Sequence, residues 1–71
     1  MQRFLIVVER AGDNFSAYSP DLPGCVATGR TPAETKSRMQ AAIDLHVRGL
    51  REDRLPIPEP SATAEYVEVG S

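Results

Sequence analysis

The sequence has one cysteine, little excess charge and no hydrophobic run longer than five residues. One cysteine cannot form a disulfide within the chain, and no pair of cysteine and histidine residues has metal-site spacing. The longest hydrophobic run, Phe4 to Val8, is too short for a membrane span, which needs about 20 residues, or for a signal-peptide core. We therefore expect a cytoplasmic protein with no metal, no cofactor and no contact with a membrane.

The charges nearly balance, since ten acidic and eight basic side chains give a formal net charge of −2 at pH 7. A chain without excess basic residues has no general attraction for a phosphate backbone, so direct nucleic-acid binding is not expected. Its 71 residues allow one small domain, residues 1–71, and exclude a two-lobed enzyme. Hydrophobic residues make up 41% of the chain, which is typical of a folded globular protein.

Four segments have the composition of β-strands. Residues 3–9 are apolar on both faces, which predicts a strand in the centre of its sheet. Residues 15–19 follow a turn rich in glycine, aspartate and asparagine, which predicts a hairpin. Residues 25–28 form a short third strand, and residues 64–69 alternate well enough for a fourth.

One helix is predicted after the third strand. Thr31 can cap it, Pro32 suits the first helical position, and Glu34 stands where a capping box requires a carboxylate. Residues on one face then recur at helical spacing until the expected end near residues 51–53. That face contains Thr35, Met39, Ala42, Ile43, His46, Val47 and Leu50.

The element order predicts an α+β domain of the type β-β-β-α-β with a mostly antiparallel sheet. A right-handed helical crossover from the third strand places the fourth strand beside the first, so the expected sheet order is 3-2-1-4. The single helix covers one face of this sheet. Because the other face lacks cover, we expect a homodimer or a higher homo-oligomer.

Residues that could support catalysis are scattered along the chain. Cys25 would need a base such as His46 beside it, and we interpret both as packed residues. Asp13, Asp21 and Asp44 fall in a turn, a loop and a helix, so nothing places two carboxylates at one metal-dependent nuclease site. We expect no catalytic residues, and an enzyme with nuclease activity is the least supported alternative.

The loop between the second and third strands is the candidate partner-binding site. Its two prolines make it stiff, so it has little conformational entropy to lose on binding, and we expect its apolar leucine to be exposed. A turn shaped only for packing is an equally supported interpretation. The candidate residues are Asp21, Leu22, Pro23, Gly24 and Cys25.

Several short motifs form a distinctive combination along most of the chain, from about Phe4 to Pro60. They are Tyr18 to Cys25, Gly29, Thr31, Ala42-Ile43, Ile57-Pro58 and Pro60. In this combination the chain resembles the HicB-like antitoxins of bacterial and archaeal type II toxin–antitoxin systems. The resemblance implies a fold similar to a partial, degenerate ribonuclease H fold without the acidic active site of that enzyme.

The resemblance also implies a function. HicB-like antitoxins bind and neutralise HicA-like toxins, which are small basic proteins that cleave mRNA, and the slight acidity of this chain suits such a partner. Many relatives also carry a C-terminal DNA-binding segment. Because this sequence ends at Ser71, we expect a short form that does not repress an operon alone. The alternative is an orphan HicB-fold oligomer with a structural or small-molecule-binding role and no toxin partner.

This sequence departs from the family at two places on the helix. Thr35, Arg38 and Ala41 stand where relatives usually have alanine, asparagine and glutamate. The glycine that often follows the helix is absent, so Asp53 or Arg54 must make that turn.

Overall fold

The computed structural model describes residues 2–70. Three strands, β1 (Val7–Ala11), β2 (Asn14–Tyr18) and β3 (Val26–Gly29), precede one helix, α1 (Pro32–Glu52). The strands form an antiparallel sheet in the order β1-β2-β3, and α1 packs on one face. The predicted α+β class, hairpin and helix are therefore confirmed. No helix among the described residues is both long enough and apolar enough to cross a membrane.

The core lies between α1 and the sheet. Its buried hydrophobic residues are Ala17, Leu22, Cys25 and Met39, and the partly buried residues packed against them are Phe4, Ile6, Val8, Ala27, Ala42 and Ile43. Every second residue from Phe4 to Val8 contacts this core, although strand pairing begins only at Val7. Residues 4–8 therefore follow the two-residue side-chain period of an extended chain.

Helix α1 begins as the sequence predicts. The hydroxyl of Thr31 accepts a 3.1 Å hydrogen bond from the backbone N–H of Glu34, and Pro32 is the first helical residue. The carboxylate of Glu34 accepts a 3.1 Å hydrogen bond from the backbone N–H of Arg30, one residue before the cap. In a capping box the carboxylate bonds to the backbone N–H of the cap residue itself. Here it bonds instead to the N–H of the residue before the cap, on the side of β3.

The contact between β3 and the first turn of α1 depends on Gly29. A Cβ atom at this position would lie 2.6 Å from Thr35 Oγ1 and 2.8 Å from the backbone nitrogen of Thr35. Thr35 cannot turn away easily, because it is fully buried and its hydroxyl donates a 2.7 Å hydrogen bond to the carbonyl of Thr31. Glycine therefore lets the helix approach the strand directly.

Helix α1 ends in a Schellman turn centred on Arg54. The N–H of Leu55 donates to the carbonyl of Leu50 at 2.8 Å, and the N–H of Arg54 donates to the carbonyl of Arg51 at 3.1 Å. Arg54 has a φ of +55°, in the left-handed region that favours glycine. Of the two residues expected to make this turn, Arg54 takes the left-handed conformation.

The prediction of a fourth strand is wrong. Residues 64–69 pair with no strand in the described part of the chain, so the sheet order is β1-β2-β3 and not 3-2-1-4. The expected position of the first strand is wrong as well, because β1 is an edge strand. The similarity to a ribonuclease H fold that the family resemblance implies is not supported, because the sheet has no fourth strand among residues 2–70.

A long-range contact explains where the C-terminal segment lies instead. The carboxylate of Asp21 accepts hydrogen bonds from the hydroxyl of Ser61 and the backbone N–H of Ala62, both at 3.3 Å. This anchor holds the chain beside the loop that follows β2, and residues 63–70 beyond it are exposed. We call residues 63–70 the tail. Its alternating pattern is typical of a strand, but such a pattern does not specify a pairing partner.

Candidate partner-binding surface

The candidate loop, residues 19–25, connects β2 to β3 and is shaped by two turns. The N–H of Leu22 donates to the carbonyl of Ser19 at 3.2 Å, and the N–H of Cys25 donates to the carbonyl of Leu22 at 3.1 Å. Gly24 has a φ of +84°, which glycine adopts without strain. The hydroxyl of Ser19 also bonds to a backbone carbonyl before β1, at 2.8 Å. The loop is therefore tied to its surroundings.

The five candidate residues do not share one surface. Leu22 is only 1% exposed and Cys25 only 5%, and both belong to the core. The expectation that Leu22 is exposed is wrong, because a domain with one helix has few other large side chains to fill its core. Pro23 and Gly24 are exposed and Asp21 is half-buried. Of the five candidate residues these three are accessible, and we call them the accessible part of the loop.

Cys25 has the properties of a core residue and not of a nucleophile. Burial raises the pKa of its thiol above the ordinary value of 9.0, since removal from water penalises the thiolate. The thiolate is the reactive form of cysteine, and a raised pKa makes it scarcer at neutral pH. The burial of Cys25 agrees with the sequence interpretation.

An apolar row lies next to the loop on the side of the sheet that α1 leaves uncovered. The strand register aligns Val7, Tyr18 and Val26 across the three strands. Tyr18 is 43% exposed and Val26 is 64% exposed. Leu5 continues this row by alternation, because its neighbours in sequence contact the core on the other side. We call Leu5, Val7, Tyr18 and Val26 the open face.

Polar residues border the open face. The next row toward the hairpin consists of Glu9, Ser16 and Thr28, so the apolar surface is confined to the loop end of the sheet. Two acidic residues belong to the neighbouring segments, Glu9 in the polar row and Asp21 in the loop. An apolar centre with an acidic border is suited to a protein partner with a cationic surface.

The open face could have been found from the sequence. A two-residue turn fixes the register of the hairpin, and in this register Tyr18 pairs across the strands with Val7. Val8 pairs with Ala17, and the side chains of these two residues lie on the other face of the sheet. The sequence reasoning extended the binding surface to sheet positions beside the loop without identifying them. The register set by the turn is the signal that assigns Tyr18 and Val7 to one face of the sheet.

A second concave surface lies between residues 2–6, the segment that leads into β1, and α1. It consists of two adjoining depressions of about 470 and 730 Å³. We call it the edge groove and define it by the lining residues Gln2, Phe4, Ile6, Gln40, Ile43 and Val47. Its charged lining residues are Arg3, Lys36, Asp44 and Arg51. The edge groove is thus lined by apolar side chains and two glutamines, together with three cations and one anion.

The structure does not bring the three aspartates of the nuclease alternative together. Asp13 lies in the hairpin turn and Asp21 in the loop at the opposite end of β2, a strand length of about 13 Å. Asp44 forms an ion pair with Arg48 at 3.3 Å on α1. Among residues 2–70, no three histidine, cysteine, aspartate or glutamate side chains are grouped so that they could hold a metal ion.

Comparison with known proteins agrees with the resemblance seen in the sequence. A family model described as the HicB-like antitoxin of bacterial toxin–antitoxin systems matches residues 4–70. No curated protein and no solved structure matches the chain. The family match covers nearly the whole chain, and it indicates a toxin partner of some kind and a non-enzymatic role. This chain therefore belongs to the HicB-like antitoxin family of bacterial toxin–antitoxin systems.

Proposed function

We propose that this protein is a non-catalytic antitoxin that binds and neutralises a HicA-like, mRNA-cleaving toxin. The observation that carries this proposal is the family match over residues 4–70. An inhibitor that covers the RNA-binding surface of its target needs no chemistry of its own. Because the toxin would act on mRNA, we place the complex in the cytoplasm.

The toxin-binding surface that we propose combines the open face with the accessible part of the loop. Tyrosine is enriched among the residues that dominate binding energy, and Tyr18 lies in the centre of this surface. The hydrogen-bonded loop supplies Pro23 and Gly24 with little entropy to lose. Glu9 and Asp21 supply negative charge at its border, which favours a basic partner.

Two features support a role without catalysis. The carboxylates of Asp13, Asp21 and Asp44 lie on separate elements, whereas metal-dependent nuclease chemistry needs carboxylates at one site. The thiol of Cys25 is buried and has a raised pKa, which opposes nucleophilic attack. RNA cleavage by the purified protein that is abolished by a change at one of these aspartates would contradict the proposal.

The binding surface is tested by titration with the product of any small basic reading frame that neighbours this gene. We expect Val26→Asp to weaken binding at least about 10-fold, because it places a charge in the apolar centre of the interface. Thr28→Asp is the matched control, since Thr28 is an exposed residue on the same strand and the same face. We expect the control to change the affinity by less than about 3-fold, the range of a border position. Equal effects of the two variants would refute the proposed surface.

The same titration separates the antitoxin from the orphan oligomer. No binding of the wild-type protein at micromolar concentration would contradict the antitoxin proposal. It would favour an orphan HicB-fold oligomer if the protein still self-associated. Circular dichroism of each variant shows whether a lost interaction reflects lost folding.

We also propose that the protein forms at least a homodimer. The support is the unpaired edge of β1 within residues 2–70 together with the exposed apolar tail. Free strand edges and exposed hydrophobic segments both favour association. Light scattering that gives a mass of 7.7 kDa at high protein concentration would contradict this proposal.

A further inference from the structure

We propose that two copies of this protein exchange their tails, so that residues 64–69 of each copy add as a strand to the outer edge of β1 in the other copy. This inference deepens the self-association proposed above and rests on it. We call residues 64–69 the exchange segment. The occupant of the edge groove is then the exchange segment of a second copy.

The exchange segment has the composition of a strand but pairs with no strand among residues 2–70 of its own chain. Tyr66 is fully exposed, Val67 is 83% exposed and Val69 is 86% exposed. Aromatic and β-branched residues favour strands, and their exposure leaves apolar surface in water. The molecule measures 50 × 27 × 19 Å, and its radius of gyration is 13.9 Å, against about 11 Å for a compact chain of this length. The C-terminal part of the chain is an arm and not part of the globule.

The outer edge of β1 is open to an added strand. Within residues 2–70, β1 pairs only with β2, so its outer N–H and C=O groups have no strand partner. Such an edge binds extended segments through backbone hydrogen bonds. Strand β1 has no proline, which would otherwise protect the edge from pairing. The edge groove lies beside residues 2–6, which lead directly into β1.

The side chains of the exchange segment suit the edge groove. Glu65, Val67 and Val69 share one face of an extended chain. The two valines match the apolar side chains of the groove, and Glu65 matches the cations beside them, Arg3 and Lys36. Tyr66 would point to the opposite side and extend the open face.

The charge distribution along the chain also favours this pairing. Residues 55–71 contain three acidic residues, Glu59, Glu65 and Glu68, and no basic residue. The charged residues that line the edge groove are three cations and Asp44, and the carboxylate of Asp44 is already paired with Arg48. An acidic arm and a basic groove attract each other when they belong to different copies.

The anchor at Asp21 makes a reciprocal exchange possible. It fixes Ser61 and Ala62 at the loop, so the six residues of the exchange segment start from a defined point and span about 20 Å when extended. This is comparable to the extended length of residues 2–8, which run beside the edge groove and into the first two residues of β1. In a dimer with a two-fold axis, each exchange segment pairs with the β1 edge of the other copy. Both segments and both edges are then occupied, so the assembly closes as a dimer.

The experiment compares full-length Val67→Pro with full-length Gly70→Pro by light scattering and native mass spectrometry. Proline at residue 67 removes a backbone donor in the middle of the exchange segment, whereas residue 70 lies outside it. We expect the wild-type protein and Gly70→Pro to be dimers, and we expect Val67→Pro to dissociate at least about 10-fold more easily. The exposure of residue 67 makes the variant compatible with folding, which circular dichroism verifies.

Hydrogen exchange gives an independent measurement. In the wild-type dimer we expect the amides of residues 64–69 to be protected, and in Val67→Pro we expect them to exchange freely. A wild-type dimer that Val67→Pro leaves intact, or whose tail amides are unprotected, would overturn the exchange and leave self-association standing. A wild-type protein that is monomeric at all concentrations would overturn both proposals.

Discussion

Replacing Gly29 with alanine adds one methyl group. We predict that this change lowers the free energy of unfolding more than alanine does at any other glycine of the chain. The new Cβ atom would lie 2.8 Å from the backbone nitrogen of Thr35 and 3.0 Å from its Cα atom. Backbone atoms at the start of a helix cannot move aside alone, so β3 and α1 must separate. Overpacking of this kind costs about 1–3 kcal/mol, and the rigid backbone contact favours the upper part of that range.

This loss is large for so small a domain. Folded proteins have about 0.05–0.15 kcal/mol of stability per residue, or about 4–11 kcal/mol for this chain. A loss of about 2–3 kcal/mol lowers the midpoint of thermal unfolding by about 8–24 °C, at about 4–8 °C for each kcal/mol. The Gly29→Ala variant should therefore fold at room temperature and unfold well below the wild type.

The matched control is Gly49→Ala. Gly49 lies inside α1, and a Cβ atom there meets nothing within 4 Å. Alanine is a better helix former than glycine by about 0.8–1 kcal/mol, so this variant should be more stable than the wild type. The same glycine-to-alanine change is thus expected to lower the free energy of unfolding at residue 29 and to raise it at residue 49.

The assay is urea unfolding followed by circular dichroism at 222 nm, with all proteins at one chain concentration so that association does not alter the comparison. A Gly29→Ala variant within about 0.5 kcal/mol of the wild type, the usual range of a surface substitution, would refute the close contact of β3 with α1. A destabilised Gly49→Ala variant would refute the free space around residue 49.

Three further predictions concern the helix end, the thiol and the anchor of the tail. Arg54→Gly should raise the free energy of unfolding by about 0.5–1 kcal/mol in the same assay. Glycine removes the strain of the left-handed conformation, and this gain exceeds the loss from the entropy that glycine adds to the unfolded chain. An unchanged or lower free energy of unfolding would contradict the strain at Arg54. The thiol of Cys25 should react with a thiol reagent only after unfolding, and rapid labelling of the native protein would argue against burial. The free energy of unfolding should fall as the pH rises through 9.0, because the raised pKa of the folded state keeps a proton on the thiol that the unfolded state loses. Asp21→Ala should lower the free energy of unfolding by about 0.5–1.5 kcal/mol, as for the loss of a hydrogen bond, because the bond from the N–H of Ala62 is partly buried. It should also accelerate amide exchange at Ala62, and unchanged exchange would show that the anchor is not formed in solution.

Local rules account for the parts of the fold that were predicted correctly. The hydroxyl of Thr31 caps the helix through a contact three residues away, and Pro32 restricts one backbone angle. The hairpin turn at Gly12 depends on one residue with a φ of +64°. Such features involve neighbours in the chain, so the residue types at those positions are sufficient to predict them.

The candidate site was predicted only in part, because exposure depends on residues far away in the sequence. Proline and glycine predicted the loop at residues 19–25, but the burial of Leu22 required knowing that Met39 and the sheet surround it. The importance of Tyr18 and Val26 depended on which face α1 covers. The loop was therefore recognised, while the open face beside it was not assigned.

The sequence by itself determined the helix with its cap, the hairpin, the three short strands to within a few residues, and membership in the HicB-like antitoxin family. Tertiary structure alone decided that β1 lies at an edge of the sheet and that residues 64–69 join no strand in the described part of their own chain. The physical reason is that an alternating pattern specifies a strand-like segment but not its partner. That choice depends on contacts across the fold, such as the hydrogen bonds from Ser61 and Ala62 to Asp21.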